Sequence, residues 1–345
     1  MTKYGNRALQ YGMPQGFGPL LEQAAHLLSE RWIRCPADNI HIATGRSGAL
    51  HNVCRAVLGA GDVVLVETPT HGPALEMFQS YGATVTSVES DEAGLLPEAL
   101  DEALARTSAA LVYLLPTFQN PTGRTMPTTR RAEVAEVIVR RNALAVEDDV
   151  YADLRYRGRP IPAFWAFAPN NTVYITSLSK TLAPAIRIGI AVLPPDVLST
   201  VSALEHGIGM QTSTLCQAIA AEFLASPFMA EHLQTITEAY SAKLQLLCTA
   251  LGKYFPGGFR WTEPDGGLFV WVDGPPGFDA DAALDRALLR DVAFRPGSAF
   301  YADDALLHRN TMRLSFAGVR SEQVLPGIDA LAAVCGNYRE SREGE

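Results

Sequence analysis

The chain has 345 residues, 48% of them hydrophobic and 19% charged, the composition of a globular protein large enough to bury a substantial core. Its 37 acidic residues against 28 basic ones leave a formal charge of −9, which repels phosphate backbones and anionic lipid and argues against nucleic-acid and membrane partners. Five scattered cysteines form no C-x-x-C pair, so neither a disulfide framework nor a metal site is expected and a reducing cytoplasm fits best. Met1 to Gln10 contain no apolar signal core, and no apolar stretch approaches the roughly 18 residues that span a bilayer.

In chain order, Ser47 to Leu58 reads as an amphipathic helix with Leu50, Val53, Cys54, Val57 and Leu58 on one face. Asp62–Glu67 and Ala109–Leu115 are short apolar runs bounded by turn signals, the pattern of strands buried on both faces. Thr129 to Arg141 is a second amphipathic helix, with Val134, Val137 and Ile138 inward. Ala143–Asp148, Thr172–Thr176 and Gly189–Leu193 complete the set of apolar strands. Alternating strands and helices predict an α/β fold with a mainly parallel sheet sandwiched by helices. From about Pro227 the texture changes: a long helix through Leu251, a strand at Gly267–Val272, a helix near Asp281 to Arg290, a strand at Met312–Phe316 and a last helix from Ser321. The division expected is an N-terminal segment over 1–30, a large α/β domain over 31–226 and a smaller C-terminal α+β domain over 227–345. The charged tail after Gly336 is expected to fray.

Chemistry concentrates at the ends of the predicted strands. Thr176-Ser-Leu-Ser-Lys-Thr-Leu-Ala-Pro-Ala-Ile-Arg-Ile-Gly189 embeds Lys180 among small and apolar residues, which lowers an amine's pKa and suits it to imine formation. Ser177, Ser179 and Arg187 would supply donors for a phosphate beside that amine; alone, Ser-x-x-Lys reads first as a solvated loop. Ala145-Val-Glu-Asp-Asp-Val-Tyr151 closes a strand with carboxylates at the sheet edge where ligands gather. Asp148 there is placed to face a pyridine nitrogen and Tyr151 a phenolate, against the plainer reading of strand-end solvation. Asn120, in Asn-Pro-Thr-Gly123, is either a turn residue or a donor to the same phenolate. Thr44-Gly-Arg-Ser-Gly-Ala49 opens the first helix, so Ser47 is a helix cap, a phosphate ligand, or both.

Together these segments resemble fold-type I pyridoxal 5′-phosphate enzymes of the aspartate-aminotransferase fold, in particular the kynurenine and α-aminoadipate aminotransferase branch. The resemblance runs from Leu9-Gln-Tyr-Gly12 to Met312-Arg-Leu-Ser315. It implies a seven-stranded-type sheet and an aminotransferase that moves an α-amino group from an L-amino acid to a 2-keto acid. Lys180 becomes the Schiff-base lysine and proton shuttle, Asp148 the pyridinium partner, and Tyr151 and Asn120 the phenolate partners. Arg46, Ser47, Ser177, Ser179 and Arg187 become the phosphate residues, and Arg313 the grip on the substrate α-carboxylate. Tyr11 matches a tyrosine that reaches the neighbouring subunit's phosphate, which implies a homodimer with shared sites.

Three departures stand out. His71 takes a position where relatives stack a tyrosine or phenylalanine on the cofactor, and an imidazole there is expected to titrate near neutrality. Arg46 replaces a small polar residue and turns either to phosphate or to substrate. The chain starts close to the Tyr11 motif, without the N-terminal arm that commonly lids the site. A lyase, cyclase or oxidase on the same fold is the alternative activity. A ligand-sensing regulator ranks lower because only about ten residues precede the match, and a nicotinamide dehydrogenase lower still, since Gly12, Gly16 and Gly18 follow no strand. Phe17, Phe118, Tyr301 and Arg295 are candidates for the wall around the substrate side chain, each also readable as packing or surface.

Overall fold

The computed structural model describes residues 3–208, 211–303 and 305–336, so the charged tail after Gly336 lies outside the described residues. The strands are β1 (Ile40–Thr44), β2 (Val63–Glu67), β3 (Thr84–Val88), β4 (Ser90–Asp91), β5 (Gly94–Leu95), β6 (Ala109–Leu114), β7 (Ala145–Asp148), β8 (Thr172–Ser177), β9 (Ile188–Val192), β10 (Arg260–Trp261), β11 (Phe269–Asp273), β12 (Arg295–Pro296) and β13 (Thr311–Ser315). The α-helices are α1 (Gly18–Ser29), α2 (Gly45–Val57), α3 (Gly72–Ser80), α4 (Pro97–Arg106), α5 (Thr128–Arg140), α6 (Pro195–Ile208), α7 (Thr214–Leu224), α8 (Phe228–Tyr254), α9 (Ala280–Leu288) and α10 (Ser321–Gly336).

Seven strands form the central sheet in the order β1-β9-β8-β7-β6-β2-β3. Its pairs are parallel from β8 through β7, β6 and β2 to β3, and only β9 runs against its neighbours β8 and β1. The sheet is buried on both faces because successive side chains point to opposite sides. Val64, Val66, Leu111 and Tyr113 meet Leu50 and Val53 of α2 and Leu75 and Phe78 of α3. Leu65, Val112 and Leu114 meet Leu100 of α4 and Val134 and Ile138 of α5. Leu20, Ala24 and Leu28 of α1 pack with Ala218 and Ala221 of α7 beside β1, β8 and β9.

Two strands of this sheet carry no clear apolar signal. In β1, His41 interrupts the run, yet it is buried, with its Nε2 3.0 Å from the Glu205 carboxylate of α6. In β3, Thr84 to Ser87 are exposed or half-buried, as befits an edge strand.

The second sheet is antiparallel, in the order β10-β11-β13-β12. Leu247 and Leu251 of α8, Ala283 and Ala287 of α9 and Ile328 and Leu331 of α10 cover it. Phe118, Tyr151 and Leu154 from the loops of the central sheet belong to the same apolar cluster, so the two sheets share a core at their seam. Among the described residues no helix is long and apolar enough to cross a membrane.

Candidate active site

The carboxyl ends of β1, β2, β6, β7 and β8 gather at one edge of the central sheet, where ligands of open α/β sheets bind. A cleft there holds about 620 Å³ of empty space, open solvent at its mouth included. Arg46, Ser47, His71, Asn120, Asp148, Tyr151, Ser177, Ser179, Lys180 and Arg187 all line it, with Leu115 and Val150 as apolar wall. Of the residues singled out from sequence, Tyr11, Arg313 and the four wall candidates Phe17, Phe118, Arg295 and Tyr301 are absent from that lining.

One end of the cleft is built for an anion. Helix α2 begins at Gly45, two residues earlier than expected, so Ser47 sits within the first turn instead of capping it. Thr44, the residue before the helix, makes no side-chain cap, which leaves first-turn N–H groups to a ligand. Gly45 has φ +71°, and a Cβ there would collide with the Arg187 guanidinium; a Cβ on Gly189 would collide with the Gly45 carbonyl. These two glycines therefore let β9, Arg187 and the start of α2 approach one another. Ser177 Oγ accepts from the Ser179 N–H at 3.3 Å, while Ser179 Oγ is buried with no partner.

The floor is Asp148, at the end of β7 and 2% exposed. Its Oδ2 accepts from Arg46 Nε at 2.5 Å and from the Tyr113 hydroxyl at 2.5 Å, while Oδ1 is buried and accepts nothing. Arg46 thus departs from both directions expected of it. Its guanidinium turns inward onto the buried carboxylate, also donating to the Tyr113 hydroxyl and to His71 Nδ1, the latter at 3.1 Å. Burial works against its charge, yet Asp148 and Tyr113 hold its pKa above the ordinary value.

His71 is likewise corrected. Burial, and then the Arg46 guanidinium, push its pKa down to about 3 against the pull of Asp148, so it does not titrate near neutrality. With Nδ1 accepting from Arg46, the ring proton belongs on Nε2.

Lys180 lies in the turn after β8 and is exposed at the cleft, less enclosed than its apolar sequence surroundings suggest. Its pKa is nevertheless lowered, by partial burial first and then by the positive charges of Arg313 and Arg187. Tyr151 is buried, which raises its pKa to about 12 and keeps the phenol protonated.

Arg313 arrives from the second sheet. From β13 it donates through Nη1 to Asn120 Oδ1 at 2.6 Å, and its guanidinium lies 4.0 Å from the Phe269 ring centre and 4.9 Å from that of Phe300. Burial lowers its pKa to about 10. The Asn120 loop is pinned by fully buried Arg131 of α5, which donates to the carbonyls of Pro116 at 2.8 Å, Met126 at 3.0 Å and Pro162 at 2.8 Å.

Tyr113 and Arg131 escape a sequence reading. Tyr113 sits inside an apolar strand run, and Arg131 sits in an amphipathic helix where an arginine is expected to face solvent. Phe17 and Phe118, candidates for the substrate wall, are core residues in separate apolar clusters. Tyr301 stacks on His308 at 3.8 Å, and Tyr11 is 92% exposed and does not line the cleft.

The family model described as aminotransferase class I and II matches residues 3–331. The chain belongs to that family. This aminotransferase is 34% identical to aromatic-amino-acid aminotransferase 1 of Thermococcus litoralis, over 96% of its own length and 81% of the relative. It superposes on the Pyrococcus horikoshii kynurenine aminotransferase with a TM-score of 0.92 at 34% identity, covering 98% of this chain and 84% of that one. The α-aminoadipate aminotransferase of Thermus thermophilus gives a TM-score of 0.91 at 32% identity, covering 98% and 86%. Those two structures carry PMP and a phosphopyridoxyl-leucine respectively, and pyridoxal 5′-phosphate is the aminotransferase's cofactor. The cleft fits it: unpartnered Asp148 Oδ1 is an acceptor for a ring N–H, unpartnered Ser179 Oγ and the start of α2 are donors for a phosphate, and Lys180 offers an amine of lowered pKa.

Proposed function

We propose that the cleft carries out transamination with Lys180 as the amine that holds the cofactor and moves the substrate's Cα proton. When bound, pyridoxal phosphate withdraws electrons from the substrate Cα through its protonated ring. The observation that carries the assignment is the half-used carboxylate of Asp148, engaged on Oδ2 and open on Oδ1 at the floor of the cleft that Lys180 lines.

Each remaining residue has a role that its surroundings support. Asp148 Oδ1 holds a proton on the ring nitrogen. Tyr151, kept neutral by burial, donates to the phenolate oxygen, and Asn120 joins it with the amide N–H group left over once Oδ1 has turned to Arg313. Ser47, Ser177, Ser179, Arg187 and the first turn of α2 bind the phosphate. Arg313 grips the α-carboxylate through its two-pronged fork and orients the Cα–H bond. Neutral His71, which lines the cleft, would give the ring an uncharged wall, and Arg46 positions Asp148.

A second copy of the chain completes the site in this reading. Tyr11 is exposed, as are Leu9 and Met13 near it in the chain and Leu215 and Ile219 of α7, and exposed apolar side chains of this kind suit a partner subunit. Five free cysteines favour a cytoplasmic setting.

The test is a panel of amino acids mixed with holoenzyme in the absence of a keto acid. Stoichiometric pyridoxamine phosphate supports the assignment. Catalytic ammonia or peroxide release would replace it with a lyase or oxidase. Lys180→Ala must also lose the adduct that borohydride traps in the parent enzyme; a mutant that is trapped normally removes Lys180 from its role.

A further inference from the structure

β12 is the edge strand of the second sheet, and its register with β13 sets Arg295 directly opposite Arg313. Opposed residues of an antiparallel pair project from one face, with Cβ atoms about 4.5–5.5 Å apart. Arg313 uses that face to reach Asn120 in the cleft, so Arg295 stands on the same side of the sheet, one strand farther out.

Like charges at opposed positions repel and destabilise a sheet. Nothing in the fold relieves them here. Among the described residues no carboxylate pairs with either guanidinium, Arg313 has neutral Asn120 as its side-chain acceptor, and its buried Nε has no partner at all. Phe269 and Phe300 pack against the Arg313 guanidinium but supply no neutralising charge. Arg295 is exposed, with its long side chain free to follow a ligand. An amino acid with one carboxylate offsets one of these charges, whereas one with an acidic side chain offsets both.

The geometry points to an acidic amino acid as the substrate class, with Arg313 on the α-carboxylate and Arg295 on the carboxylate at the far end of the side chain. This subsite rests on the transaminase reading of the cleft. Arg295 is then a specificity-determining residue, and it lies in an edge strand where replacement disturbs little packing.

The experiment compares parent holoenzyme with Arg295→Gln and Arg295→Lys. Single-turnover conversion of the cofactor is followed with glutamate, 2-aminoadipate, leucine and phenylalanine, and the binding of glutarate and butyrate is followed by absorbance titration. The parent should prefer the acidic donors. Arg295→Gln should cut the acidic-over-neutral ratio of kcat/KM by roughly 10–100-fold, the worth of one hydrogen-bonded charge contact, and Arg295→Lys should restore part of it. The preference for glutarate over butyrate should fall by a similar factor. A ratio that Arg295→Gln leaves intact, or a parent that favours neutral donors, overturns the proposal; so does a variant whose only change is a weaker association between copies of the chain. If no amino acid converts the parent cofactor, the transaminase reading has failed, and the glutarate-to-butyrate ratio still decides whether two arginines form one diacid subsite.

Discussion

Asp148 gives only one of its two carboxylate oxygens to Arg46. Oδ2 receives the guanidinium together with the Tyr113 hydroxyl, and Oδ1, equally buried, receives nothing within the chain. Removing one member of a buried pair strands the other charge, at a cost of about 3–5 kcal/mol. Arg46→Met and Asp148→Asn should therefore each destabilise the apoprotein strongly, while the double variant costs clearly less than their sum. Urea unfolding of the four proteins checks this; strictly additive costs would mean the pair carries no coupling.

His71 gives a pH prediction with a definite sign. Its folded pKa of about 3 lies below the ordinary value of roughly 6.5. Between those values the unfolded chain binds the extra proton, so the stabilisation is complete above about pH 6.5 and is lost as the pH falls. One such proton is worth on the order of 1–2 kcal/mol between pH 6.5 and pH 5. His71→Phe should flatten the stability profile over that interval, and the His71 imidazole resonance in the parent should still report a neutral ring at pH 5. A ring that protonates near pH 6.5 contradicts the buried arrangement.

Lys180 is one of four lysines, with Lys3, Lys243 and Lys253. Its pKa is lowered, by partial burial first and then by Arg313 and Arg187, whereas that of Lys3 is raised. In the apoprotein at pH 8, an amine-directed reagent should modify Lys180 before the other three lysines, as mapped by peptide mass spectrometry. Arg187→Gln should slow that labelling by returning the amine towards its charged form. Faster labelling of Lys180 in the variant would count against the charge effect.

Asn120→Asp places a carboxylate 2.6 Å from Arg313 Nη1 in place of a neutral amide oxygen. The new anion competes with a substrate carboxylate for the same guanidinium. Binding of glutarate or of any amino acid should weaken by roughly 10–100-fold, the range for one charge-assisted hydrogen bond. Lowering the pH should recover part of the loss as the new carboxyl group protonates. Equal affinity in parent and variant would show that Arg313 does not meet the substrate.

How much of this was legible depends on how local the cause is. The apolar strands β2, β6, β7, β8 and β9 announce themselves because burial on both faces demands unbroken apolar runs. β1 does not, because His41 is accommodated by Glu205, more than a hundred residues away in the chain. The reversed direction of β9 is equally invisible, since a strand's composition carries no sign for its polarity. At the site, Lys180, Asp148 and Asn120 can be picked out by their place after strands, whereas Arg313 stands out only through the family resemblance and otherwise reads as a surface strand residue. The inward turn of Arg46 cannot be picked out, for it is decided by a carboxylate on a different strand and a phenol on a third. The same remoteness misleads the reading of His71, whose proton affinity is set by burial and by Arg46 and not by its neighbours in the chain.

The contact between Arg313 and Asn120 crosses the seam between the two sheets, with the proposed cofactor floor on one side and both arginines of the proposed diacid subsite on the other. Reaction chemistry and side-chain preference are thereby carried by separable modules. An engineer who transplants the strand pair β12 and β13 from a homologue would exchange the accepted amino acid while leaving the electron-withdrawing apparatus in its original framework.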